Sequence, residues 1–305
     1  MMITATKKLS PLLRWAGGKY NQPKIIKRLL ELYEPYRDSH VWVEPFCGAL
    51  GATFRVMPYR AILSDSNKWL IRFYETIKDG NNLNPEYFDK DYYDLRKILR
   101  GEMARDGYGD CLSRPDFASV FYAVNRKGFN GVWRVNASGE YNVPAGKDSQ
   151  GRLLTCKMPS DYDQYFAAMD KWSFDAQPWQ MQLTLKSNLM GFNRSPKFIY
   201  IDPPYDNGFV GYQAGGFTWD DQKELAEWAA LSPHPVVMSN LATPRIMELY
   251  SSLGFDVEEV SARRSVSRNG DREKVVEILA TKNVMTAAKF VERELGGMVM
   301  EVRSR

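Results

Sequence analysis

Apolar runs of strand length recur along the chain. "VWVEPF", "AILSD", "TLKSN", "KFIYID", "PVVMSN", "DVEEVSARR" and "VEILATK" are rich in β-branched or apolar residues, and each is bounded by Gly, Pro, Asn or Asp. Helical patterns lie between several of them. In "PKIIKRLLELYEPY", Ile26, Leu29, Leu30 and Tyr33 share one helical face, and Pro23 suits the first turn. In "FTWDDQKELAEWAA", Thr218 and Asp221 form a capping-box pattern ahead of an apolar face of Leu225, Trp228 and Ala229. Strands that alternate with helices predict an α/β fold with a mostly parallel sheet. No clear helix separates the last two strand candidates, which predicts an antiparallel hairpin at one edge.

The middle of the chain reads differently. From about Asn84 to Lys171 the strand signal fades. "YFDKDYYDLRKILR" and "DFASVFYAVNRKGF" have helical patterns, and the Gly- and Asn-rich loop "NRKGFNGVWRVNASGEYNVPAGKD" follows. Between Arg96 and Lys157 there are eleven basic residues against six acidic ones, an excess at least as large as the +4 of the whole chain. Tyr122, Phe129, Trp133 and Tyr141 interleave with those charges. Cations for phosphates beside rings for bases suit nucleic acid. A solvated basic face on a helical subdomain accounts for the charge equally well. The tail "TAAKFVERELGGMVMEVRSR" is expected to begin as a helix.

Composition narrows the class. The 305 residues are 44% hydrophobic and 26% charged, as a globular protein requires. The three cysteines, Cys47, Cys111 and Cys156, are far apart, and the only histidines are His40 and His234. That argues against a zinc site or a disulfide framework. There is no apolar leader and no run long enough for a membrane span. A cytoplasmic monomer without a metal is the expectation.

Three short stretches carry candidate chemistry. "DPPY" follows the strand candidate "KFIYI", and two prolines there end the ladder. Ligands of α/β sheets sit at such strand ends. If the substrate is a planar base with an exocyclic amine, Asp202 and the Pro203 carbonyl can accept from its N–H groups, and Tyr205 can stack on the ring. The alternative is an Asp-Pro turn with a packed tyrosine. In "VEPFCGALGA", Gly48 and Gly51 let a ligand approach the backbone, and Glu44 can hold an amino group. The spacing is not that of a dinucleotide fingerprint. Asp65, in "AILSDSN", can accept both hydroxyls of a ribose, or it can belong to a helix N-cap. In "RWAGGK", Lys19 can meet a carboxylate, or the segment can be a flexible turn.

Taken in order, RWAGGK, EPFCGALGA, SDSN, the basic insert and DPPY resemble the Dam-type DNA adenine-N6 methyltransferases, the D12 class. "GFNGVWRVNASGEYNVPAG" looks like the family's DNA-reading loop, and "FTWDDQKELAEWA", "MSN" and "RRSVSRNGDREKVVEILA" extend the likeness to about Lys282. The resemblance implies a Rossmann-like methyltransferase sheet with a helical DNA-recognition insert, S-adenosylmethionine as donor and double-stranded DNA as partner. It implies a catalytic domain from residues 1–83 and 172–285, a recognition domain over 84–171 with its reading loop at about 125–148, and a tail over 286–305.

By position, the cofactor pocket would contain Trp15, Ala16, Gly17, Lys19, Glu44, Phe46, Cys47, Gly48, Asp65, Ser66 and Asp202. Asp202, Pro203, Pro204 and Tyr205 would hold a flipped adenine. Asn130, Val132, Trp133, Arg134, Asn136 and Pro144 would meet DNA from the loop, with Arg134 reading a guanine. Arg264, Ser265, Ser267 and Asn269 match a segment near the DNA backbone. The stretch 206–217 would close over the base as a lid, with Tyr212 a contact. The chain departs from the pattern at Cys47, at Leu241 where the family often has His, and at Val132 and Trp133. The last two bear on whether the site is GATC. Methylation of RNA or of a protein glutamine, and an inactive DNA-binding relative, are the rival functions.

Overall fold

Runs of β-branched and aromatic residues that stop at an acid, a proline or a glycine supply the strands. In the computed structural model, which describes residues 9–105, 112–183, 195–206, 216–263 and 274–285, these are β1 (Val41–Glu44), β2 (Ala61–Ser64), β3 (Trp172–Asp175), β4 (Lys197–Ile201), β5 (Val236–Leu241), β6 (Asp256–Arg263) and β7 (Lys274–Lys282). They form one sheet in the order β3-β2-β1-β4-β5-β7-β6. The first five strands pair in parallel. β7 runs antiparallel between β5 and β6, so the predicted edge hairpin is present and its second strand is the inner one. The strand order reverses between β2-β1 and β1-β4, which opens a crevice at the carboxyl ends of β1 and β4.

Alternation along each strand divides the core into two layers. Trp42, Leu63, Phe198, Tyr200 and Val237 face one side. They meet α1 (Pro23–Tyr33), α2 (Thr53–Val56) and α3 (Lys68–Lys78) through Ile25, Leu29, Tyr33, Phe54 and Phe73. Val41, Val43, Ile199, Ile201 and Met238 face the other side, where α8 (Trp219–Leu231) and α9 (Pro244–Ser252) bring Leu225, Ala226, Ala229, Ile246 and Tyr250. Covering both faces is what a parallel sheet needs. The buried stripe of α1 is Ile25, Ile26, Leu29, Leu32 and Tyr33; Leu30 is only partly buried. The capping box of α8 forms in both directions, with Thr218 accepting from the Asp221 amide and Asp221 accepting from the Thr218 amide. Trp228 lies half-buried beside that face.

The insert contains α4 (Tyr92–Arg105), α5 (Arg114–Lys127) and, before β3, α6 (Asp163–Met169). Among the described residues it shares its core with the sheet. Phe73 of α3 stacks on Phe121 of α5 at 5.5 Å, and Trp69 lies 5.8 Å from Phe117, so the first layer runs without a break into the insert. β3 is a strand that the hydrophobic pattern does not announce. It has four residues and ends in Asp175, and its place comes from pairing with β2. A short α7 (Trp179–Leu183) follows it. "TLKSN", most of 206–217 with Tyr212, the segment holding Arg264, Ser265, Ser267 and Asn269, and the tail lie outside the described residues. Among the described residues no helix is long and apolar enough to cross a membrane.

Candidate active site and nucleic-acid face

The ends of β1, β2 and β4 bring the three predicted motifs together. After β1 the chain turns through Glu44, Pro45, Phe46 and Cys47 to Gly48, whose φ of 46° favours a residue without Cβ. A Cβ on Gly48 would lie 3.1 Å from the Trp15 ring, and one on Gly51 would lie 2.9 Å from the Lys19 amide. These glycines therefore admit the RWAGGK segment itself. The two glycine-rich turns pack face to face.

Asp65 at the end of β2 ties this wall down. One of its oxygens accepts from the Gly48 amide at 3.2 Å and the other from the Asn67 amide at 2.9 Å. Burial pushes its carboxyl up to about 6, against the opposing effect of those amides. Asn67 caps α3 through its carbonyl oxygen, while its Nδ2 is buried without a protein partner. Ser66 is exposed at the same turn.

Glu44 is buried behind the pocket. Its Oε2 accepts from Trp42 Nε1 at 3.0 Å and from the Thr53 hydroxyl. Burial is the main reason its carboxyl rises to about 8, and nearby Asp202 adds to the rise. Cys47 is buried, and burial with Asp65 and Glu44 nearby pushes its thiol well above the ordinary range. That favours the neutral thiol over the nucleophilic thiolate.

Across the crevice, β4 ends in Asp202-Pro203-Pro204-Tyr205. Asp202 Oδ1 accepts from the Ser239 hydroxyl at 2.6 Å. The Lys19 ammonium lies 2.7 Å from each Asp202 oxygen and donates to the Gly17 carbonyl at 3.1 Å. The Tyr205 hydroxyl donates to Glu277 at 2.6 Å, which fixes the ring. Burial, followed by Asp202 and Glu277, holds that phenol well above its usual range.

The turn is also held from behind. Gln222 donates to the Pro204 carbonyl at 2.7 Å. Asn240 donates to Gln222 and to Tyr250, each at 3.1 Å, and accepts from the Asp206 amide at 3.3 Å. Arg245 grips the Asp206 carboxylate. Ser239, Asn240, Gln222 and Glu277 were not among the predicted site residues. For Ser239 and Asn240 the signal is "MSN", a small polar pair ending an otherwise apolar strand; Gln222 and Glu277 lie within stretches that only the resemblance marks for function. Among the described residues no cluster of His, Cys, Asp and Glu could hold a metal ion.

The insert presents a ribbon near the crevice. Gly128 bridges Ala145, and the Phe129 amide donates to the Pro144 carbonyl at 3.0 Å. Farther out, Val135 bridges Tyr141 in a hairpin whose tip is Gly139, at φ 75°. Phe129, Asn130, Pro144, Lys147, Arg152 and Leu153 are exposed along it, and Asn130 has the left-handed φ of 51°. Phe129, which the sequence offers only as an aromatic among charges, is 48% exposed at the head of the loop. Arg134 is pre-aimed by Asn142, through Nε to Oδ1 at 2.7 Å and Nη2 to the carbonyl at 3.3 Å.

Three further residues expected to meet DNA also make contacts within the protein. Asn136 is occupied within the hairpin, where it accepts from the Ser138 and Glu140 amides. Trp133 is 7% exposed, in contact with Phe121 and Tyr141 and stacked at 6.5 Å on Trp15. Its ring belongs to the seam between loop and crevice. Val132 is partly buried in the same layer. Ala16 and Gly17 lie on the turn between that seam and Lys19, and Gly17 has a φ of 82°.

Comparison with known proteins gives the family. A family model described as D12 class N6 adenine-specific DNA methyltransferase matches residues 15–266. A type II methyltransferase of Lactococcus lactis subsp. cremoris, M1.LlaDCHI, is 28% identical over 294 residues, covering 90% of this chain and 95% of the relative. A DNA adenine methylase of Vibrio cholerae is 33% identical over 297 residues, covering 90% and 96%. One of Salmonella typhi is 32% identical over 296 residues, covering 90% and 95%.

Proposed function

We propose, given that the chain belongs to the D12 class of N6 adenine-specific DNA methyltransferases, that its substrate is an adenine flipped out of duplex DNA, its donor is S-adenosylmethionine and its site is GATC or a relative of it. The observation that carries this reading is the end of β4. An aimed carboxylate, a carbonyl between prolines and a fixed aromatic face stand there together, across the switch point from Asp65 and Gly48.

The residues on the β1–β2 side suit such a donor. Asp65 stands where two vicinal hydroxyls can be met, the buried Asn67 Nδ2 lacks a partner, and Trp15 and Phe46 offer apolar surface. S-adenosylmethionine, when bound, supplies a methyl group on a sulfonium, an electrophile that needs no metal.

The protein's own part is positional and electrostatic. Flipping costs a few kcal/mol, and stacking on Tyr205 offsets part of that. Asp202 and the Pro203 carbonyl accept hydrogen bonds from the two N6–H groups, and one of those protons leaves during or after transfer. These acceptors draw the amine lone pair out of conjugation and meet the positive charge that grows on N6. Holding both reactants in one crevice supplies most of the rest. Phe129, Asn130 and Pro144, exposed together on the ribbon, would supply a wedge into the duplex, and Arg134 would read a guanine through O6 and N7. The test is treatment of unmethylated genomic DNA with the protein and S-adenosylmethionine, followed by sequencing for N6-methyladenine. Marks at one short sequence support the reading, and an unmarked genome rejects it.

A further inference from the structure

Lys19 has no part in the mechanism above, yet its side chain is 3% exposed and fully engaged. Its ammonium contacts both Asp202 oxygens at 2.7 Å, and it lies 4.6 Å from the centroid of the Tyr205 ring. A carboxylate acceptor and an aromatic face are the two groups that the proposed reaction gives to the adenine amine and its ring. We propose that the Lys19 ammonium is a resident stand-in for that amine: it fills the amine subsite until the base arrives, and base entry must displace it. The inference rests on the reading that Asp202 and Tyr205 hold the adenine.

Two arguments make the occupancy exclusive. Stacked rings sit with centroids about 4.5–7 Å apart, so a cation 4.6 Å from the Tyr205 centroid stands in the shell that a base would fill. An ionised carboxylate offers about four acceptor positions. Ser239 takes one on Oδ1 and Lys19 one on each oxygen, which leaves a single position, on Oδ2 against the ammonium, so N6 can bond there well only as Lys19 moves aside. The residue type suits a device that must withdraw. A lysine stem is flexible, its three donors rotate, and the Gly17 carbonyl already accepts from it at 3.1 Å on the retreating side. While it stays, it keeps Asp202 aimed and excludes other amines from the crevice.

The test compares two duplexes that carry the mapped recognition sequence, one with the target adenine and one abasic at that position. Both are titrated against the full chain by fluorescence anisotropy, with S-adenosylhomocysteine present so that no transfer occurs. The ratio of the two affinities isolates what the base gains in the pocket. Lys19→Met keeps the length and removes the charge, and it is expected to raise the adenine-to-abasic ratio about three- to tenfold. Lys19→Arg, which holds a carboxylate through two parallel bonds, is expected to lower the ratio below that of the wild type.

An unchanged or lower ratio in Lys19→Met overturns the proposal. So does weaker S-adenosylhomocysteine binding with an unmoved ratio, which would put Lys19 in the cofactor pocket alone. Should Lys19→Met not fold, Lys19→Arg decides by sign, since an equal or higher ratio overturns the idea. Tyr205→Ala is measured alongside. If it leaves the wild-type ratio intact, the base-holding reading itself fails, whatever Lys19 does.

Discussion

The side-chain amide of Asn125 closes a reciprocal pair with the backbone of Arg14: Oδ1 accepts from the Arg14 amide and Nδ2 donates to its carbonyl, each at 2.8 Å. The pair joins the end of α5 to the segment that opens RWAGGK. Gly131 presses on the same residue, since a Cβ there would lie 2.4 Å from Arg14 Cβ. One position on, Trp15 stacks on Trp133. The insert's ribbon and the wall of the crevice are therefore one packed unit.

That seam predicts a stability effect. Asn125→Ala leaves the part-buried Arg14 amide and carbonyl without these partners, which costs roughly 1–2 kcal/mol. Urea denaturation of the purified protein measures it. A change within about 0.5 kcal/mol would mean that the seam bears no load.

Glu44 predicts a pH dependence. Its carboxyl ordinarily titrates near 4.5 and is raised to about 8 here. The folded protein thus holds this proton more tightly than the unfolded chain. The benefit is full below the ordinary value and is lost as pH rises through about 8, because unfolding lets the group ionise in water. Glu44→Gln removes the ionisation and keeps an acceptor for Trp42 and Thr53. Compared with the wild type, it should gain stability between pH 5 and pH 8.5, by roughly 2–4 kcal/mol. Urea midpoints at the two pH values give the answer, and a constant gap contradicts the assignment.

Gln222 predicts a kinetic effect at a distance from the substrate. Gln222→Met keeps the shape but frees the Pro204 carbonyl, so the turn that carries the Pro203 carbonyl loses its support. Small misplacements of reacting groups can cost up to about 10²-fold. Single-turnover methyl transfer should slow at least about tenfold, with S-adenosylmethionine binding unchanged. Equal loss in both would make Gln222 a residue of the fold alone.

Arg134 predicts a specificity effect. Arg134→Ala should weaken discrimination at one guanine by ~1–3 kcal/mol. Asn142→Ala should lose less, because the guanidinium remains and only its aim is released. Competition between the mapped site and singly substituted duplexes measures both. Unchanged discrimination in Arg134→Ala places the reader elsewhere.

The crevice was legible in the sequence because its chemistry is local. A β-branched run that stops at Glu-Pro, at Asp-Ser or at Asp-Pro-Pro marks a strand end within a few residues. What supports those ends was not legible. Ser239, Gln222 and Glu277 reach Asp202, Pro204 and Tyr205 across 37, 18 and 72 positions of chain. Only strand order brings them near, and no periodicity encodes it. Trp133 shows the same limit from the other side. Rings interleaved with cations read as a nucleic-acid face, but the pattern does not say which ring turns inward against Trp15 and Phe121. β3 escaped because four residues ending in an acid carry too little pattern.

The central claim is that Asp202, at the end of β4, carries the transfer. It is tested most directly by Asp202→Ala, with methyl transfer from labelled S-adenosylmethionine to unmethylated duplex DNA measured beside calorimetric binding of the cofactor. Transfer is expected to be abolished while cofactor binding stays largely intact. Turnover at the wild-type rate in that variant would contradict it.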